Sequence, residues 1–257
     1  MGLLVVVCSI AALCAIFLSA RHRSCGSLGF RIIVVIVSIL LITGVVLPML
    51  GQLHHGPSNM KNSTQARGIH QALIIFAQGN NTYFPGRDRD GAFDLNHVFR
   101  IGDPQTALYD HPSHPAWRLR RLIEDNHFSG EHIISPSESK PVWESGAVTP
   151  DNYSYAMLSI ADLDDPRANE WRNTNNYKAP TVTDRIVPTE TGGIRSVHTN
   201  PIAAGTTEWR GSVAWNDNHV SFEPDFVVDT IYGQQRNADD NLFAPTSGDA
   251  YLVYDQP

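Results

Sequence analysis

Residues 211–222 read GSVAWNDNHVSF. Val213 and Trp215 alternate before a polar break, and Val220 and Phe222 alternate after it. Period two is the signature of a strand with one covered face. Asn216-Asp217-Asn218 lies between the two runs, and Asp and Asn tolerate the left-handed conformation that a tight hairpin turn requires. The stretch predicts a β-hairpin whose apolar face covers a helix.

Moving outward, the text on both sides is β-like and rich in loops. Strands are expected at 153–160, 181–187, 211–215, 219–223, 226–232 and 250–254, separated by Pro136, Pro141, Pro150, Pro166, Pro180, Pro188 and Pro201. Upstream, residues 58–79 carry Ile69, Leu73 and Phe76 at i, i+4, i+7, with Ala66, Ala72 and Ala77 beside them. That pattern gives a helix with one apolar stripe, which needs a sheet or another helix to cover it. Ser58 or Asn59 can cap its start, Gly79-Asn80-Asn81 stops it, and Pro85-Gly86 turns the chain. Residues 87–115 read as irregular, and 116–128 as a short helix with Trp117, Leu119, Leu122 and Ile123. The fold class that follows is α+β, a helix packed on an antiparallel sheet with long loops.

The first fifty residues are a different kind of chain. Residues 3–20 (LLVVVCSIAALCAIFLSA) are apolar at 16 of 18 positions, and residues 32–50 (IIVVIVSILLITGVVLPML) at 15 of 19. Each approaches the roughly 20 residues that cross a bilayer as a helix. Arg21, Arg23 and Arg31 are the only charged side chains in residues 1–50, and they cluster around the short link, which places that link on the cytoplasmic side. Two organisations remain open: a retained helix hairpin, or a first segment removed as a signal sequence somewhere before residue 31. In either, residues 1–50 are a membrane anchor and residues 51–257 an extracytoplasmic domain of the cytoplasmic (inner) membrane. That domain carries all 26 acids and 16 of the 19 bases, a formal charge of −10. An acidic domain repels phosphate, so nucleic acid is excluded as a partner, and the anchor excludes a simple soluble cytosolic enzyme. Cys8, Cys14 and Cys25 all lie in or beside the hydrophobic segments, so the outer domain has neither disulfides nor cysteine-ligated zinc.

The order of short motifs resembles a family. Gly29-Phe30 before an apolar run resembles a prepilin processing junction and its helix. Residues 62–85, NSTQARGIHQALIIFAQGNNTYFP, resemble a post-membrane helix ending in asparagines, here Asn80, and Phe84-Pro85. Ile134-Ser135-Pro136-Ser137, followed by Asn152-Tyr153-Ser154-Tyr155, resembles a Cys-Pro-Ser turn before an Asn-Tyr-x-Tyr strand. Thr183-Asp184-Arg185, Ser196-Val197-His198 and Trp215-Asn216-Asp217-Asn218-His219-Val220 resemble Asp-Arg, His and Asp-Gly-His-Val elements. Together these make the chain similar to the bacterial pseudopilin-like proteins, which join a type IV pilin N-terminal helix to a C-terminal domain of the H-x9-DG type. The resemblance spans most of residues 29–223. It implies a pilin-like fold, a structural or secretion-related role, and other pseudopilin-like subunits or secretion components as partners. Departures are specific. Val34 stands where pilins carry a glutamate, Arg31 where threonine is usual, Ser135 where the family has cysteine, and Asn218 where it has glycine.

Candidate chemistry is sparse. His198, His219 and an acid such as Asp217 invite a hydrolase reading, but a turn that needs Asp and Asn explains Asp217 without catalysis. No catalytic residue or cofactor is assigned. Calcium is the one ion with candidate ligands: Asp162, Asp164 and Asp165, or Asp239, Asp240 and Asn241 with Asp249, in loops able to supply oxygens. His111-Pro112-Ser113-His114-Pro115 has the look of a metal pair, but its prolines and the lack of HExxH favour a loop. Trp171, Trp209 and Tyr177 in polar loops motivate a carbohydrate-binding reading, since rings offer stacking faces. Asn62, Asn80 and Asn152 match the glycosylation pattern N-x-[ST].

Overall fold

The computed structural model describes residues 55–97, 99, 109–188, 194–198, 208–244 and 252–254. The two hydrophobic segments 3–20 and 32–50, the Gly29-Phe30 junction, the three cysteines and Asp249 lie outside the described residues. Among the described residues no helix is long and apolar enough to cross a membrane.

Among the described residues two α-helices and nine strands follow in order: α1 (His55–Gly79), α2 (Pro115–Glu124), β1 (Tyr155–Leu158), β2 (Pro180–Asp184), β3 (Val187–Pro188), β4 (Ile194–Arg195), β5 (Gly211–Trp215), β6 (Val220–Glu223), β7 (Val227–Tyr232), β8 (Gln235–Asn241) and β9 (Leu252–Val253). An antiparallel sheet runs β6-β5-β2-β1-β9, and two-stranded ladders join β3 to β4 and β7 to β8. The architecture is α+β, with α1 packed on the sheet.

Helix α1 buries Ala66, Ile69, Leu73 and Ala77, spaced to fall on one face. Full burial of a side chain such as Ile69 or Leu73 stabilises by about 1.5–3 kcal/mol. The helix ends in a 6→1 hydrogen bond from the Thr82 N–H to the Ala77 carbonyl at 3.0 Å, with Asn81 left-handed at φ 49°. This is a Schellman ending at the expected Gly79-Asn80-Asn81 stop, with Asn81 as its left-handed residue and Thr82 following at φ 72°. Helix α2 closes in the same way. His127 N–H reaches the Leu122 carbonyl at 3.0 Å, with Asn126 at φ 59°, so the helix stops four residues before the expected limit of 128. Arg118, fully buried on α2, donates from Nη1 to the Leu158 carbonyl at 2.8 Å and lies over the Trp171 ring, pinning α2 to β1.

Register corrects the hairpin reading. The turn forms as expected, with Asn218 at φ 69° and Trp215 N–H bonded to the His219 carbonyl. However, Phe222 pairs with Ser212 and Val220 with Ala214. Directly paired residues share a face. Val220 and Phe222 therefore lie on the helix side with Ser212 and Ala214, while Val213 and Trp215 lie on the other. The three-residue turn shifts the alternation, so the two apolar pairs do not make one face. Small residues meet α1: Ala214 joins its core, and the Ser212 hydroxyl lies 2.9 Å from that of Ser63. Val213 and Trp215 instead pack with Ala156, Trp209, Leu242 and Leu252 in a second cluster on the far face.

Two further differences are local. Strand β8 has no apolar alternation in QRNADDN and was not expected; it forms by pairing with β7 around Gly233 at φ 60°. The strand expected at 153–160 forms at Tyr155–Leu158, and within the described part of 250–254 the strand is Leu252–Val253.

Candidate functional site

The polar centre of the domain lies where α1 crosses the end of β2. Asn62 is fully buried one turn before Ala66, on the apolar face of the helix. Its Nδ2 donates to both Asp184 oxygens, at 2.9 and 2.8 Å, and lies 3.0 Å from Ser212 Oγ. Tyr155 Oη donates to Asn62 Oδ1 at 3.0 Å. Burial, with the Asp184 and Glu138 carboxylates, holds the Tyr155 phenol well above its ordinary pKa, so it is a neutral donor. The Ser212 N–H donates to Asp184 Oδ2 at 2.6 Å. A buried carboxylate needs this number of donors to offset its lost hydration.

His198 completes the group. Its Nε2 is 3.1 Å from Asp184 Oδ2, and its side chain is only 3% exposed. The carboxylate fixes the proton on Nε2 and leaves the Nδ1 lone pair directed elsewhere. Nδ1 faces Ser137 Oγ at 3.5 Å. Arg185 pairs with Glu138, so the neighbour of Asp184 holds the neighbour of Ser137. Burial alone would raise Glu138, but the Arg185 hydrogen bonds and charge, with Ser154 and the Lys140 charge, together overcome this and leave the carboxyl below its ordinary pKa.

Of the family-like positions, Tyr155, Asp184 and His198 converge here. The others hold the fold at separate places. Asn80 Nδ2 donates to the Tyr83 and Arg87 carbonyls at 3.1 and 2.8 Å. Phe84 sits in the core with its ring edge on Trp171, whose Nε1 donates to the Pro85 carbonyl at 2.7 Å. Tyr153 Oη donates to the Tyr254 carbonyl. Asp217 Oδ1 accepts from the His219 backbone N–H at 3.1 Å and also contacts the imidazole, at the hairpin turn. His219 stacks on Trp215, on the face away from the helix, whereas His198 meets Phe222 on the helix side. The two histidines do not converge on one carboxylate, so the hydrolase reading that combined them loses its geometry.

The remaining candidates resolve individually. Among the described residues no three His, Cys, Asp or Glu side chains are grouped to hold an ion. Asp162 Oδ1 accepts from the Asp164 N–H at 2.9 Å within its own turn, beside Asp165. Asp239 and Asp240 are in β8 rather than a loop, and Asp240 is bonded to Thr230 across the ladder. His114 caps α2 by accepting from the Ala116 N–H at 3.1 Å, and His111 Nδ1 lies 2.6 Å from Ser113 Oγ, so the histidine pair builds a helix start. Trp171 and Trp209 are buried, which leaves only Tyr177 of the three aromatics exposed. The amide nitrogens of Asn62, Asn80 and Asn152 all donate to protein acceptors.

Sequence reasoning missed Asn62, Ser212 and Glu138 as members of the polar centre. Asn62 had a signal: a polar residue on the apolar stripe, seven residues before Ile69. Ser212 and Glu138 had none, because their roles depend on pairings over 28 and 47 residues. No family model, curated protein or solved structure matches the chain.

Proposed function

We propose that the chain is a membrane-anchored, pseudopilin-like structural protein that works by protein–protein contact. Residues 1–50 anchor it in the cytoplasmic membrane, residues 51–257 stand on the extracytoplasmic side, and its partners are other pseudopilin-like subunits or secretion components. The observation that carries this reading is the locking of α1 to the sheet through Asn62 and Asp184. A 25-residue helix that follows the hydrophobic segment 32–50 in sequence is fixed to the sheet by a buried polar node, which supports a rigid contact domain. Three of the family-like positions, Tyr155, Asp184 and His198, meet at that node. The absence of a glutamate at Val34 narrows the reading: the head domain carries the pilin likeness further than the filament register does.

The experiment is purification of pili and secretion pseudopili from cells expressing the chain, with N-terminal sequencing of the membrane fraction. A mature start at Phe30 and co-purification with filaments support assembly. A chain that starts at Met1 or Gly2 and is missing from filaments defeats the assembly half. An alkaline phosphatase fusion after residue 257 that is inactive defeats the topology.

A further inference from the structure

Ser137 is exposed, while the imidazole beside it and the carboxylate behind that imidazole are buried. We infer that Ser137, His198 and Asp184 form a nucleophilic site that accepts esters with an apolar acyl group, a capacity separate from the contact role above. A serine hydroxyl becomes a nucleophile when an adjacent base takes its proton and a third group orients that base. All three roles are filled here by side chains from distant parts of the chain. Asp184 holds the His198 Nε2–H at 3.1 Å, and His198 Nδ1 faces Ser137 Oγ at 3.5 Å. That last distance is at the outer limit of a hydrogen bond, and such contacts are commonly loose before substrate tightens them.

Four observations go beyond the mere meeting of the residues. Asp184 is held by Asn62 and the Ser212 N–H, so its position does not depend on His198. The Arg185–Glu138 pair ties the serine loop to the end of β2, next to the residue that holds His198. Within the loop, the Ser137 N–H donates to Ser135 Oγ at 3.3 Å and the Glu138 N–H to the Ser135 carbonyl at 3.0 Å. Finally, Phe222 lies edge-on to His198 with ring centroids 5.6 Å apart, and it is 38% exposed. An exposed apolar ring against the imidazole offers contact to an aliphatic acyl chain, which sets the substrate class.

The step balances without a cofactor. Ser137 Oγ bonds to the ester carbonyl carbon as its proton passes to His198 Nδ1, and the carbonyl π pair moves onto oxygen. Collapse of the tetrahedral adduct breaks the bond to the alkoxy group, which leaves as the alcohol with the proton from Nδ1. Water, deprotonated by the same nitrogen, then cleaves the acyl-serine to the free acid and restores Ser137. Ser137 and His198 touch the reacting atoms; Asp184 is a positioning residue.

The test is covalent modification, which locates the nucleophile directly and needs no turnover. The detergent-solubilised full chain is incubated with an alkyl fluorophosphonate, and the adduct is located by peptide mass mapping. The expected result is one adduct, on Ser137, absent in Ser137→Ala and formed at least tenfold more slowly in His198→Gln. Asp184→Asn should shift the pH profile of labelling, which a purely structural role for Asp184 would leave in place. No adduct on Ser137 overturns the proposal, and so does an equal rate in His198→Gln. Should His198→Gln fail to fold, the wild-type chain labelled in urea serves instead; labelling as fast unfolded as folded is equally fatal.

Discussion

Asn62 Nδ2 donates to both carboxylate oxygens of Asp184 across 122 residues of sequence, and both side chains are fully buried. Removing one partner from such a pair leaves a buried charge short of donors, at a cost of about 2–4 kcal/mol. Asn62→Ala should therefore destabilise the outer domain by that amount, and Asn62→Asp by more, since it sets two carboxylates together. Thr64→Ala, exposed on the same helix, should stay within about 0.5 kcal/mol of wild type. Urea unfolding followed by tryptophan fluorescence measures all three. Equal midpoints for Asn62→Ala and Thr64→Ala would remove the node from the stability argument.

The contrast between Asn62 and its surroundings shows what a sequence carries. Helix α1 was legible because Ala66, Ile69, Leu73 and Ala77 repeat with helical period, a signal local to the segment. The strands around Val182 and Val213 were legible for the same reason. Face assignment was not. Whether Val213 and Phe222 share a face depends on the residue count of the turn, and Asn216-Asp217-Asn218 admits more than one. Strand β8 was invisible because its ladder with β7, not its composition, makes it a strand. The candidate site was half legible: Tyr155, Asp184 and His198 stood out through resemblance. Their convergence with Ser137, Glu138 and Ser212 is a matter of tertiary pairing.

Gly68 is where α1 is approached most closely by the chain around His132. A Cβ placed on Gly68 would meet His132 Nε2 at 2.4 Å and Cε1 at 2.9 Å. The ring is not free to retreat, because Nε2 lies 3.2 Å from the Gln65 carbonyl and the imidazole stacks on Phe128. Overpacking of this kind costs about 1–3 kcal/mol, against which the better helix propensity of alanine returns less than about 1. Gly68→Ala should lower the unfolding midpoint, and His132→Ala in the same chain should restore part of the loss. A double variant no more stable than the additive expectation would show that the clash is not with His132.

Thr82 is held at φ 72° just after α1, with its side chain exposed. A β-branched residue in the left-handed region is strained by about 1–3 kcal/mol. Its carbonyl accepts from the Asn173 N–H at 2.8 Å and its N–H bonds Ala77, so the backbone conformation is imposed by both neighbours. Thr82→Gly removes the strain at the cost of greater freedom in the unfolded chain. The net expectation is stabilisation by about 1 kcal/mol, read as a melting-temperature increase of about 2–4 °C for a domain this size. A lower melting temperature would mean that the threonine side chain contributes more than its conformation costs.

His70 is the group whose titration the fold resists. Burial lowers its pKa to about 4, outweighing the opposing influence of the Asn218 side chain and the Asp217 carboxylate. Nδ1 lies 3.2 Å from Asn218 Oδ1, the ring edge meets Phe84, and Nε2 is buried without a hydrogen bond. In the unfolded chain the imidazole titrates near 6.5. Above that value both states are neutral and His70 leaves stability unchanged. As pH falls from 6.5 towards 4, the unfolded state takes up a proton that the folded state does not, so stability drops by about 1.4 kcal/mol per pH unit. His70→Gln keeps a donor for Asn218 and removes the titration. Carboxylates titrate in both proteins and cancel in the difference. The gap in unfolding free energy between wild type and His70→Gln should therefore move by about 1–2 kcal/mol between pH 7 and pH 5.5, in favour of the variant at the lower pH. Urea midpoints measured at both values would decide it: parallel curves would mean that the ring takes up its proton without leaving the core.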